Sequence, residues 1–151
     1  MDVPPQFHFT HRRMVEFADT DMAGLMHFSN FLRFAESAEH AWFRSLGFRV
    51  HTLAAGLRHG WPRIEVGCKY RQPARFEETL EICLRLEDLR SSSLSYSFWI
   101  FGEGAARPLL AHGTCATIHV TIDDASHEIK KTPIPAPLRT KLEALLSSPK
   151  S

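Results

Sequence analysis

Asp19 and Asp21 stand two residues apart just ahead of Gly24, and His27-Phe28-Ser29-Asn30 follows at once. The spacing reads as a strand ending in the carboxylate pair, a turn at Gly24, and a long helix beginning near Ser29. A carboxylate at such a junction lies close to backbone N–H groups with no partner inside the helix, and those donors can hold a developing negative charge. Acyl transfer is the chemistry that uses this pairing. The carboxylate attacks a carbonyl or deprotonates water, and an aspartate carboxylate, with a reference pKa of about 3.9, is ionised at neutral pH. Capping the turn is the plain structural use of Asp21. Asp19 shares a strand face with it and is expected to be solvated and structural. His27 either donates to the substrate or packs at the helix start.

Phe31, Phe34, Ala35, Ala38, Trp42 and Leu46 fall on one helical stripe, with Ser29 or Asn30 as cap and Gly47 as stop. So many aromatics on one stripe require a broad partner such as a sheet. Glu36 lies off the stripe as a structural acceptor or a pocket wall. Ahead of the helix, Phe7 to Phe17 reads as an interrupted strand with His8 and His11 on the surface. Phe48 to Gly60 reads as a linker. Four strand-like segments follow: Trp61–Tyr70, Thr79–Leu89, Leu94–Phe101 and Leu109–Ile122. In the second, Leu80, Ile82, Leu84 and Leu86 take one face and Glu81, Cys83, Arg85 and Glu87 the other. A short helix begins near Pro137 with Leu138, Leu142, Leu145 and Leu146 as its stripe. The expected class is α+β, an antiparallel sheet around one long buried helix.

At 151 residues the chain fits one domain, residues 1–151. Its formal net charge of +1 supplies no basic field for nucleic acid. Cys68, Cys83 and Cys115 lack paired spacing and read as buried thiols, neither zinc ligands nor disulfides. Nine histidines form no metal-ligand spacing, so no metal and no cofactor is expected. Met1 to Pro5 lacks the character of a secretory signal, and no apolar run reaches membrane-span length, so the expectation is no membrane partner and a cytoplasmic location.

Asp19-Thr20-Asp21-x-Ala23-Gly24, followed by His27-Phe28-Ser29-Asn30-Phe31-Leu32-Arg33-Phe34-x-Glu36, resembles the signature of the 4-hydroxybenzoyl-CoA thioesterase family of hotdog-fold proteins. The likeness continues at Tyr70-Arg71-Gln72-Pro73-Ala74-Arg75, Arg90-Ser91-Ser92-Ser93, Ala111-His112-Gly113-Thr114 and Lys131-Thr132-Pro133-Ile134-Pro135. It implies a hotdog fold, a homodimer or homotetramer, and acyl-CoA bound at a subunit interface. By position it makes Asp21 the catalytic aspartate and the Phe28 backbone N–H the donor that polarises the thioester carbonyl. With His27 these form the expected catalytic set. Gly24, Asn30, Arg71, Arg75, Arg90, Ser92 and Lys130 are the expected substrate contacts. Among them the cations, together with Lys131, are candidates for the phosphates of coenzyme A. Leu25-Met26-His27 and Glu77-Glu78 depart from the family pattern and bear on acyl specificity.

The implied activity is hydrolysis of an aromatic or aliphatic acyl-CoA to free acid and coenzyme A, with Asp21 as nucleophile or general base. The alternative is a non-catalytic acyl-CoA-binding or regulatory domain of the same fold. A hydratase would need a histidine paired with an acid beside a Cα–H bond, and no such motif is present. No Gly-x-Ser-x-Gly elbow exists, which argues against a serine hydrolase.

Overall fold

The structure, a computed structural model, describes residues 3–4 and 6–147. Met1, Asp2 and Pro5, part of the segment that lacks a signal's character, lie outside the described residues.

Helix α1, Phe28–Ser45, buries Phe31, Phe34, Ala35, Ala38, Trp42 and Phe43, and with them the carboxylate of Glu39. Its cap is His27, not Ser29 or Asn30. The imidazole Nδ1 accepts the Ser29 N–H at 3.3 Å, while the Asn30 side chain donates to the Asp19 carbonyl at 2.8 Å. The helix stops as expected at Gly47, whose φ of +84° lies in the left-handed region that favours glycine. Phe48 N–H then bonds Phe43 O and Gly47 N–H bonds Arg44 O, the reverse turn that satisfies a helix's last carbonyls.

Five strands form one antiparallel sheet: β1 (Phe9–Met14), β4 (Arg63–Tyr70), β5 (Thr79–Leu89), β6 (Ser93–Phe101) and β7 (Leu109–Ile118), in spatial order β1-β5-β6-β7-β4. The main core lies between this sheet and α1, where Leu80, Ile82, Leu84, Phe98 and Ile100 meet Phe34, Trp42 and Phe43. Cys83, on the sheet face away from α1, is buried as expected beside Trp99 and Phe101 under Phe7, and Cys115 is buried too, whereas Cys68 is only partly covered because it lies on the edge strand β4. β4 is an open edge with Ile64, Val66 and Tyr70 exposed. Such an edge leaves a row of backbone donors and acceptors unpaired.

The expected linker instead holds a hairpin, β2 (Thr52–Ala54) and β3 (Leu57–Gly60), which joins β8 (Val120–Asp123) and β9 (Ile129–Lys131) in a second antiparallel sheet. Strands of three or four residues are too short for alternation to register. Helix α2, Ala136–Ser147, buries Leu138 and Leu142 and lies against β5. Both expected helices are present and both pack on the main sheet, α1 on β1 and β5 and α2 on β5.

Candidate active site

The polar junction is a turn, not a strand end. A 3-10 turn over Phe17–Asp19 interrupts the chain after β1, so Asp19 and Asp21 do not share a strand face. Asp19 is buried: one carboxylate oxygen accepts the Glu16 N–H at 2.9 Å and the other lies 3.6 Å from the Arg13 guanidinium. Its role is structural as expected, but not solvated. The Asp19 carbonyl accepts from both the His27 N–H (2.9 Å) and the Asn30 side chain (2.8 Å), which clamps the turn to the start of α1.

Asp21 is exposed at the head of this turn. Its Oδ1 accepts the N–H groups of Ala23 at 2.9 Å and Leu25 at 3.4 Å, while its own N–H donates to Leu25 O at 2.8 Å. Gly24, at φ +77°, closes the turn with a bond from its N–H to Asp21 O. The chain then returns through a Thr20–Met26 bridge directly into α1. Phe28 is the first helical residue, and its N–H has no partner among the described residues. Its ring lies beside His27 at 4.5 Å between centroids, and its carbonyl accepts the Tyr70 hydroxyl at 3.1 Å. Burial, then Cys68, push the Tyr70 phenol up to about 12, so it remains a donor at neutral pH. A carboxylate and a free backbone N–H thus flank one short turn. That pairing suits attack on, and polarisation of, a carbonyl.

The expected substrate contacts divide between the two ends of the sheet. Arg75 bridges Leu25, and Arg71 follows Tyr70 with its guanidinium 3.2 Å from His112 Nε2, so both cations stand at the end where α1 begins. Burial pushes the His112 imidazole pKa down. Arg90, Ser92, Lys130 and Lys131 lie at or beyond the other end, where β5 turns into β6 and β7 into β8. There Arg90 pairs with Asp88 at 2.8 Å, Ser92 is buried, and Lys130 lies 3.9 Å from Glu128. From Arg63 to Tyr70, β4 spans about 23 Å at 3.3 Å per residue.

A second polar cluster was missed in the sequence. Glu39 is fully buried on α1, and its Oε2 accepts from Arg63 at 2.5 Å; a second guanidinium nitrogen of Arg63 lies 3.4 Å from Glu36. Burial alone would lower the Arg63 pKa, and the Glu39 carboxylate more than reverses that and raises it. Burial first, then Glu39, pushes the Tyr96 phenol well above its usual range. Glu39 occupies a stripe position, one residue after Ala38 and three before Trp42, and a charge there was the available signal. Arg63 gave none, because it reaches the helix through an irregularity. It pairs Thr117 and Glu65 pairs Ala116, which leaves Ile64 as an extra residue in the strand. This extra residue puts Arg63 on the same face as Val66, Cys68 and Tyr70.

Among the described residues no group of three or more His, Cys, Asp or Glu is placed to hold a metal ion, and no helix is long and apolar enough to cross a membrane.

The family model of the thioesterase-like superfamily matches residues 15–142. A 1,4-dihydroxy-2-naphthoyl-CoA hydrolase from Synechocystis is 28% identical over 134 residues, 89% of this chain and 94% of that protein. The corresponding hydrolase of Thermosynechococcus vestitus is 26% identical over 134 residues, 89% and 88% of the two chains. The crystal structure of a 1,4-dihydroxy-2-naphthoyl-CoA thioesterase from Synechocystis superposes with a TM-score of 0.75 at 25% identity, covering 91% of this chain and 96% of that one.

Proposed function

This chain belongs to the thioesterase-like superfamily, and on that footing we propose that it hydrolyses acyl-CoA thioesters to the free acid and coenzyme A. The observation that carries the reading is the Asp21–Phe28 turn, an exposed carboxylate held by backbone N–H groups seven residues before an unpartnered helix-start N–H. Asp21 acts as nucleophile on the thioester carbonyl or as base toward water, and the Phe28 N–H holds the oxyanion. The names of the relatives favour an aromatic acyl group. The architecture is read as the hotdog fold.

The assembly is a two-fold dimer through the β4 edges. Antiparallel pairing of β4 with a second copy would set the Arg63 end of one sheet beside the Tyr70 end of the other. Arg90 and Ser92 of the second copy would then stand near Asp21 and Phe28 of the first, and the divided contact set would be reunited. Gly24, Arg71, Arg75 and Lys130 are the remaining substrate contacts of this arrangement, while the Asn30 amide, bonded to the Asp19 carbonyl, and His27 Nδ1, bonded to Ser29, hold the helix start.

A non-catalytic acyl-CoA-binding domain is the competing reading, favoured by one observation: Asp21 Oδ1 is already engaged as a turn cap. Thiol release from a panel of aromatic and aliphatic acyl-CoAs separates the two. Turnover that collapses in Asp21→Asn supports the thioesterase, whereas saturable acyl-CoA binding without turnover supports the binding domain.

A further inference from the structure

Beyond the C-terminal end of α1, β3 and the start of α2 flank an open pocket of about 460 Å³. Small-molecule sites run from about 300 to about 1,000 Å³. Phe48, Trp61, Pro135 and Leu138 give it an apolar wall, and Arg49 and His59 are the polar side chains that line it. It shares no residue with the Asp21–Phe28 turn, which stands at the other end of α1, about 26 Å of helix away at 1.5 Å per residue. His59 is held from behind. The buried His119 places Nδ1 3.0 Å from the carbonyl oxygens of both Thr132 and Pro133, which only accept, so Nδ1 carries the proton. His119 Nε2 lies 2.9 Å from His59 Nδ1, with the two ring planes 13° apart. Burial pushes the His119 pKa down, so its Nε2 stays an acceptor and His59 Nδ1 donates to it. The other ring nitrogen, His59 Nε2, has no partner among the described residues. It accepts when His59 is neutral and donates when His59 is charged.

The surroundings are cationic. Arg49 makes no ion pair among the described residues, and it also borders a second recess lined by His40, Arg44 and His51. No carboxylate lines either one. The last carbonyls of α1, which would repel an anion, are already taken. Gly47 and Phe48 N–H groups cover two of them, and the Lys141 ammonium of α2 donates to Leu46 O at 2.7 Å. We infer that the pocket binds an aromatic monocarboxylate, with its ring against Trp61 and Leu138, one oxygen on the Arg49 guanidinium and the other on protonated His59 Nε2. Two donors match the two oxygens of a carboxylate, and the bound anion draws one proton from solvent onto His59. Arg49 is the charged side chain that shares the pocket with His59, and Lys141 adds a second cation at the helix end. Across the small sheet His59 pairs Thr52 and Thr121, neither of which titrates. Arg58 and Asp124 pair with each other at 2.9 Å, and Arg58 points to the opposite face of β3.

Isothermal titration of the intact chain with 2-naphthoate and with uncharged 2-naphthamide tests this, the heats being compared in two buffers of different ionisation enthalpy. The acid should bind about 10-fold or more tighter than the amide and take up a proton. Its affinity should rise severalfold from about pH 8 to about pH 6, a range in which a carboxyl stays ionised and histidine titrates. Arg49→Gln, at an exposed side chain, should remove most of the preference for the acid. His59→Gln should abolish the proton uptake and the pH dependence while Arg49 keeps part of that preference. Should His59→Gln fail to fold, Arg49→Gln and the buffer comparison on the parent decide alone. Equal Kd for acid and amide, no binding of either, or a preference that the variants leave intact overturns the site; in the last case the acid sits elsewhere. A free acid is also what thioester hydrolysis releases, but the pocket is judged by binding alone. Its failure leaves the thioesterase reading untouched, and a chain that releases no thiol can still pass this test.

Discussion

The two ends of the groove between α1 and β4 are built by opposite means. At the Asp21–Phe28 end the polar groups are exposed and held by backbone: Asp21 rests on two main-chain N–H groups, and the turn is clamped by the Asp19 carbonyl. At the Arg63 end they are held by one another, with Glu39 wholly enclosed and paired to a single, partly buried arginine. Backbone-held groups can be exchanged without disturbing the fold. Side-chain-held buried charges cannot, because removing one leaves the other uncompensated. Groups at one end are thereby exchangeable without loss of stability, while those at the other are tied to it.

The sharpest way to break that contrast is at Asp21. Asparagine accepts backbone N–H groups in the same turn as well as aspartate does, but it is neither a nucleophile nor a base. Asp21→Asn should lower kcat/KM by about 10²–10⁴-fold, with Tm unchanged. A variant that keeps its activity removes Asp21 from the mechanism, and a large fall in Tm removes the contrast. At the opposite end, Glu39→Ala should cost about 3–5 kcal/mol of stability in urea unfolding, since the pair is broken from its buried side. A cost below about 1 kcal/mol would mean that Arg63 is well served by Glu36 and solvent.

Gly113 tests whether the open edge strand needs its close seat on β7. A Cβ at that position would stand 2.0 Å from the Gly67 carbonyl oxygen and 2.6 Å from the Phe98 ring. Gly113→Ala should therefore destabilise the protein by about 1–3 kcal/mol and raise amide exchange along β4. An alanine variant of unchanged stability would show that β4 moves freely. The smallest effect belongs to Tyr70→Phe, which deletes one exposed hydrogen bond to the Phe28 carbonyl and should cost about 0.5–1.5 kcal/mol. A larger loss, accompanied by a change in kcat, would mean that the helix start is held mainly by Tyr70 and not by the turn.

The Asp21–Phe28 turn was legible in the chain because its signals are local. Asp21, Gly24 and the helix start lie within eight residues, and a glycine turn followed by a helical stripe survives any error in strand boundaries. The stripe also foretold the buried face of α1, apart from Glu39 and Phe43, and its end at Gly47. What escaped depends on distant partners. His27 could be recognised as the cap only once Asn30 was seen to be occupied by Asp19. Asp19 reads as solvated until Arg13 and Glu16 fold back on it. The division of Arg71 and Arg75 from Arg90 and Lys130 follows from strand order, which no single segment carries. Arg63 was invisible for a stricter reason: strict alternation puts it on the face opposite Val66, and only the unpaired Ile64 reverses that.

That extra residue has a consequence for heredity. Strand β4 carries one residue of slack between two fixed partners, Arg63 opposite Thr117 and Tyr70 opposite Ala111. Loss of the codon for Ile64 would straighten the strand and leave both pairs, and every inward-facing residue between them, where they are. In a regular strand the same deletion would turn one end inside out. The strand can therefore be shortened by that one codon while both ends stay in register.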